Sequence, residues 1–76
     1  MIALATMKNG QIGTVASLET KDDAILRKLM AMGVMPGVSI TLEQRFPAYI
    51  ISAGRTRAAL DKETAQIIYV QKRAGH

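Results

Sequence analysis

The sequence contains no cysteine and only one histidine, His76, at its final position. The absence of cysteine excludes disulfides, thiolate metal sites and cysteine nucleophiles. It also fits a reducing cytoplasm, without establishing the compartment. With a single terminal histidine, any metal site would depend on carboxylates. We therefore predict no catalytic centre, no metal site and no bound cofactor, and hence a protein that is not an enzyme.

Long apolar runs and aromatic residues are also scarce. The longest apolar run near the start, residues 1–5, is far shorter than the roughly 20 residues that span a bilayer, and no basic residue precedes it as in a signal peptide. We expect neither a secreted nor a membrane-spanning protein.

The aromatic residues are Phe46, Tyr49 and Tyr69, which are too few for the stacking used by single-strand nucleic-acid binders.

A phosphate-binding loop is missing as well. The segment from Met32 to Gly37 contains two glycines, but it lacks the Gly-Lys-Ser/Thr ending of a Walker A motif. Its proline, Pro36, also removes one backbone amide that such a loop would offer to phosphate. We interpret this segment as the end of a helix followed by a turn.

The composition that remains is that of one small globular domain spanning residues 1–76. Hydrophobic residues make up 49% and charged residues 21% of the 76 residues, which suffices for a single core. The formal net charge is +4, but the ten basic residues are spread from Lys8 to Arg73 without a block. Such dispersion is more typical of a solvated surface than of a nucleic-acid footprint, so no nucleic-acid partner is expected.

The centre of the chain predicts an amphipathic helix. Thr20 and Asp23 have the spacing of a capping box, and Gly33 offers the left-handed residue that commonly ends a helix. Between them, apolar residues recur at helical spacing, which indicates a buried stripe. The residues of this predicted stripe are Ile25, Leu26, Leu29, Met30 and Met32.

The rest of the chain predicts short strands. Gly13 suggests a bulge or a sharp bend in the first of them, Pro36-Gly37 suits a type II turn, and Asp61 can cap a single helical turn ending at Gln66. Short strands at close spacing favour a mainly β fold, a small closed barrel of about five strands with one inserted α-helix and a short C-terminal helical turn. The predicted strands are residues 11–18, 39–46, 49–52, 56–60 and 67–70.

Methionines cluster around the end of the predicted helix. Flexible thioethers suit adaptable binding surfaces and equally suit an irregular core. Core filling is favoured for Met32, which continues the stripe, whereas Met35 lies in the turn and is the better candidate for exposure. We predict a partner-binding region comprising Met30, Met32, Gly33, Met35, Pro36 and Gly37.

Three arginines form a second, weaker candidate. Arg55 and Arg57 would share one face of an extended strand, and with Arg45 they could contact phosphates or acidic side chains. A solvated barrel face explains the same residues, and we favour that interpretation.

The run from Asp23 to Ile40, with Met32-Gly33 and Pro36-Gly37, closely resembles the signature of the FeoA-like family. The later pattern of Gly54, Ala59-Leu60, Ala65 and residues 67–70 is also similar to that family. The resemblance implies an SH3-like barrel with a helix inserted after the first strand. It further implies a cytoplasmic accessory protein of bacterial ferrous iron transport, which regulates an FeoB-type membrane transporter through contact with it.

That resemblance implies a protein that lies at the membrane only through its partner, the transporter with its GTP-binding domain. It also connects the chain with transition metal ions, although the sequence offers no convincing iron ligands. Two alternatives remain open, the C-terminal barrel of a metal-dependent regulator and a small nucleic-acid-binding barrel. Exposed apolar surface could equally support weak self-association.

Overall fold

The computed structural model describes residues 1–72, in which six antiparallel strands form one sheet. The strand order is β1-β6-β2-β3-β4-β5, so the last strand lies between the first two. The elements are β1 (Ile2–Ala3), a 3₁₀ turn (Leu4–Thr6), β2 (Ile12–Leu18), α1 (Asp23–Ala31), β3 (Ser39–Gln44), β4 (Tyr49–Ala53), β5 (Thr56–Leu60), α2 (Lys62–Ile67) and β6 (Ile68–Lys72). His76 lies outside the described residues.

The mainly β fold with an inserted helix is confirmed, and the sheet has six strands where about five were predicted. The additional strand, β1, is only two residues long, and it pairs antiparallel with β6 through Ile2 opposite Val70. The predicted C-terminal helical turn is also longer than expected, because α2 extends to Ile67. Asp61 caps it as predicted, and its carboxylate accepts a hydrogen bond of 2.8 Å from the Thr64 amide.

The bulge in β2 does not occur at Gly13. The pairing of β2 with β6 shifts between Val15 and Ser17, which places the bulge there. Gly13 instead permits close packing, since a Cβ at this position would lie 3.2 Å from both the carbonyl oxygen of Gln71 and the Cβ of Val70. The glycine therefore allows β6 to lie close against β2.

The cap of α1 is Asp22 and not Thr20. The Oδ1 atom of Asp22 accepts hydrogen bonds from the amides of Ala24 (2.9 Å) and Ile25 (3.4 Å). The hydroxyl of Thr20 accepts a hydrogen bond of 3.1 Å from the Asp22 amide and thereby supports the cap. Both residues contribute, but an aspartate satisfies the free amides at the helix start.

One core fills the space enclosed by the sheet and the two helices. Its members come from every strand except β1 and are largely inaccessible to solvent. Among residues 1–72, no polar or charged residue is buried as a whole with them. The core comprises Leu4, Met7, Val15, Leu29, Val34, Ile40, Leu42, Ile51, Ala53, Leu60, Ala65, Ile68 and Val70.

Candidate interaction surface

A shallow groove with a volume of about 390 Å³ separates α1 from the bulged part of β2. The turn after α1 closes one side of it. Its lining is apolar except for a single serine, Ser17. We call it the apolar groove, and its lining residues are Ala16, Ser17, Leu18, Leu26, Met30, Met35 and Pro36.

The three central methionines occupy different environments. Met32 is half-buried and packs against the core, as its place in the stripe predicts. Met35 lies in the turn and is 39% exposed. Met30 is 55% exposed, so the prediction that it belongs to the buried stripe is wrong. Met30 and Met35 instead line the apolar groove together.

Backbone hydrogen bonds hold Met35 and Pro36 against β2. The Val38 amide donates to the Met35 carbonyl oxygen (3.1 Å), and Gly37 has φ +95°, which confirms the predicted type II turn. The Gly37 amide also donates to the Val15 carbonyl oxygen over 2.8 Å. The wall of the groove is therefore fixed by main-chain contacts.

Ser17 is the one polar side chain in the lining. Its hydroxyl oxygen is buried and has no hydrogen-bond partner among the described residues. An unpaired polar atom in such a position carries a cost in stability. It is also the one side-chain hydrogen-bonding group that the lining contains.

The sequence interpretation identified part of this groove. It named Met30, Met35 and Pro36 as contact residues, and the structure brings these three together. Gly33 and Gly37 shape the backbone, each with positive φ. The contributions of Ala16, Ser17, Leu18 and Leu26 were missed. The amphipathic pattern places Leu26 beside Met30 on the helix surface, whereas the β2 bulge beside Ala16 and Ser17 has no clear sequence signal.

The arginines are engaged mainly within the domain. The Nη2 atom of Arg57 lies 2.8 Å from Oε1 of Glu43, in a largely exposed ion pair. The Nη2 atom of Arg45 donates a hydrogen bond of 3.1 Å to the carbonyl oxygen of Ala5. The pairing with Glu43 favours a solvated face over a phosphate-binding role for Arg57.

Carboxylates also have local roles. A hydrogen bond from the Thr64 side chain, together with one from its backbone amide, lowers the pKa of Asp61.

Within residues 1–72, no three His, Cys, Asp or Glu side chains are grouped so that they could hold a metal ion. Within the same residues, no helix has the length and apolar character needed to cross a membrane.

Comparison with known proteins gives one consistent family. A family model described as FeoA domain matches residues 2–72. A protein of Leptolyngbya boryana, provisionally named Fe(2+) transport protein A, is 29% identical over 70 residues, which cover 91% of this chain and 85% of that protein. The crystal structure of an iron uptake regulatory protein (FeoA) has 30% identity and a TM-score of 0.86, and the match covers 95% of this chain and 96% of that one.

More distant structures share the fold. FeoA of Stenotrophomonas maltophilia in complex with zinc, described as a prokaryotic SH3 domain protein, has 23% identity and a TM-score of 0.81, with 93% of this chain and 91% of that chain covered. The fold is therefore SH3-like. A manganese-dependent transcriptional repressor has 21% identity and a TM-score of 0.89, but the match covers 95% of this chain and only 41% of the repressor.

Proposed function

Because the chain belongs to the FeoA family, a family of ferrous iron transport proteins, we propose that it is a cytoplasmic, non-enzymatic accessory protein that regulates ferrous iron uptake. It acts through contact with an FeoB-type membrane transporter, at or near the GTP-binding domain of that transporter. The family membership supplies the connection with iron transport, and the apolar groove supplies the contact surface.

The observation that carries this proposal is the exposure of Met30 and Met35 on one apolar groove. Contiguous exposed apolar surface costs stability in water and marks interaction sites on small domains. Methionine side chains adapt to the shape of a partner because their thioethers are flexible and polarisable. The fixed main chain beneath Met35 means that the surface is largely formed before the partner arrives.

The groove suits a short apolar segment of the partner. A segment that inserts one or two apolar side chains would cover both methionines, in the manner of a peptide in a hydrophobic groove. The exposed Arg27 lies three residues before Met30 and therefore beside it on the surface of α1. Acidic residues that flank the apolar side chains of the partner would complement this cation.

The experiment that tests the proposal is a calorimetric titration of the full chain into the isolated GTP-binding domain of the cognate transporter. It is run with GDP and with a non-hydrolysable GTP analogue. Saturable binding that Met30→Glu abolishes supports the groove as the contact site, and a difference between nucleotides supports regulation of the GTPase cycle. Absence of binding to this domain and to the intact transporter would remove the proposal.

The repressor-like and nucleic-acid-binding alternatives have weaker support. The likeness to the manganese-dependent repressor, at 21% identity, shows a shared fold alone. A nucleic-acid function would produce an affinity that falls steeply as salt concentration rises, because phosphate contacts release counterions. The same titration repeated with a short duplex at two salt concentrations separates this alternative.

A further inference from the structure

A second surface, at one end of the barrel, combines cations with the most exposed aromatic ring of the chain. Phe46 is 85% exposed and lies in the connection between β3 and β4. Around it lies an open depression whose lining contains two cationic side chains. We call it the cationic loop surface, and its residues are Lys8, Asn9, Arg45, Phe46 and Tyr49.

Each of the two connections that form this surface is hydrogen-bonded to the element that adjoins the other connection. The Gly10 amide donates to the carbonyl oxygen of Leu42 over 2.6 Å. From the other connection, Arg45 donates to the carbonyl oxygen of Ala5 over 3.1 Å. The loops before β2 and after β3 are therefore held side by side, and they present Lys8 and Phe46 from the same end of the barrel.

The charge of this surface has one sign. Neither connection, residues 7–11 or 45–48, contains an aspartate or a glutamate. Glu43, on the adjoining strand, is already paired with Arg57. The surface is thus complementary to anions, and at its edge the apolar ring of Phe46 is exposed to solvent.

We propose that the cationic loop surface docks the protein on an anionic phospholipid surface, with Phe46 inserted at the level of the headgroups and Lys8 and Arg45 beside the phosphates. Phenylalanine is one of the residues with which peripheral segments enter the boundary between headgroups and acyl chains, and each basic residue near an anionic leaflet strengthens binding. A ring with so little protein around it suits a fluid apolar medium better than a rigid pocket.

Nucleic acid fits the same surface less well. Single-strand binders stack successive bases on several accessible rings, whereas here Phe46 stands alone and Tyr49 is half-buried against the core. The docking also does not require the proposed transporter contact, because the apolar groove is lined by different residues.

The test is flotation of the full chain with vesicles of phosphatidylcholine alone and with added phosphatidylglycerol. Binding is expected only with the anionic lipid, and Phe46→Ser is expected to remove it. Lys8→Gln should weaken binding about five-fold, the effect of one basic residue. Equal flotation of the wild type and Phe46→Ser would overturn the proposal.

Two matched variants control for loss of apolar area and of charge. Met30→Ser removes an exposed apolar side chain from the apolar groove and should float as the wild type does. Arg55→Gln removes one cation from the turn at the opposite end of β4 and should have little effect. Equal losses from Arg55→Gln and Lys8→Gln would show that net charge alone drives binding, which contradicts a specific surface.

A fluorescence measurement locates the contact directly. The chain contains no tryptophan, so Phe46→Trp introduces a single reporter at an exposed position. Its emission should shift to shorter wavelength with phosphatidylglycerol vesicles, whereas Met30→Trp should not respond. No shift for Phe46→Trp, or a Phe46-dependent affinity for a single-stranded oligonucleotide in place of vesicles, would overturn the proposal.

Discussion

The amide of Val34 donates a hydrogen bond of 2.8 Å to the carbonyl oxygen of Leu29 across the end of α1. Both side chains are fully buried. With the Gly33 amide bonded to the carbonyl oxygen of Met30 over 3.0 Å, this is a Schellman motif with its usual hydrophobic contact. The motif ends α1, returns the chain to the core and sets the direction of the turn that carries Met35.

Gly33→Val should destabilise the protein by about 1–3 kcal/mol, because a β-branched residue is strained at φ +82°. No atom lies within 4 Å of a Cβ built at this position, so the cost is one of backbone conformation and not of crowding. The free energy of unfolding from urea denaturation measures it. Gly33→Asn is the control and should cost less, because asparagine tolerates the left-handed region; equal costs for both would contradict the argument.

Leu29→Ala should cost about 2–5 kcal/mol, because it leaves a cavity at the point where α1 meets the sheet. The same substitution at Leu26, which lines the apolar groove and is only partly buried, should cost clearly less. Thermal and urea unfolding of the two variants provide the comparison. Equal losses would show that α1 is not anchored mainly through Leu29.

Met35→Glu should leave the free energy of unfolding unchanged and weaken binding to the GTP-binding domain about ten-fold or more, as expected for a central contact. Ile12→Glu is the matched control, since Ile12 is 41% exposed but lies outside the apolar groove. Calorimetric titration of both variants decides the point. Equal affinity of Met35→Glu and the wild type would remove Met35 from the interface.

Gly13→Ala should destabilise the protein by about 1–3 kcal/mol, the cost of overpacking. The new methyl group would meet the Gln71 carbonyl oxygen and the Val70 side chain at 3.2 Å, and the backbone of β6 cannot yield without loosening its pairing with β2. Relative to the wild type, amide hydrogen exchange in the variant should become faster in β6 and change less in β4. Unchanged exchange and stability would show that the two strands separate at no cost.

Stability should fall in acid partly through Asp61. Because the hydrogen bonds from Thr64 hold the native pKa of Asp61 below its ordinary value, the cap stabilises the protein above the pKa of the unfolded chain and is lost as the pH falls through the native value. Asp61→Asn keeps an acceptor for the Thr64 amide but does not titrate. Its unfolding free energy should therefore vary less between about pH 5 and about pH 2 than that of the wild type; identical profiles would contradict the assignment.

The parts of the fold that sequence predicts well are those set by neighbouring residues. Gly33 and Pro36-Gly37 indicate turns because few other residues adopt the backbone angles required there. The helix is predicted by the spacing of its apolar residues. β1 could not be predicted, since a strand of two residues exists only through its pairing with β6, which is far away in the sequence.

In the candidate site, too, local sequence predicts some features and tertiary packing determines the others. The exposure of Met35 follows from its place in a turn, which the sequence shows. Met30 has the same periodicity as Leu29 and Met32, so only the observed position of α1 against the bulge of β2 reveals that it faces the apolar groove. The opposite wall, at Ala16 and Ser17, depends on the register between β2 and β6, and such registers result from tertiary packing.

The position of β6 between β1 and β2 also governs when the domain can form. As the ribosome extends the chain, β1 and β2 emerge early, yet the strand that joins them is made last. Until Ile68–Lys72 has left the exit tunnel, the core residues Leu4 and Val15 lack the strand that covers them. Local elements such as α1 can form during synthesis, but the sheet is completed only after translation has passed its final strand. A nascent chain therefore cannot complete its sheet before residues 68–72 have been added.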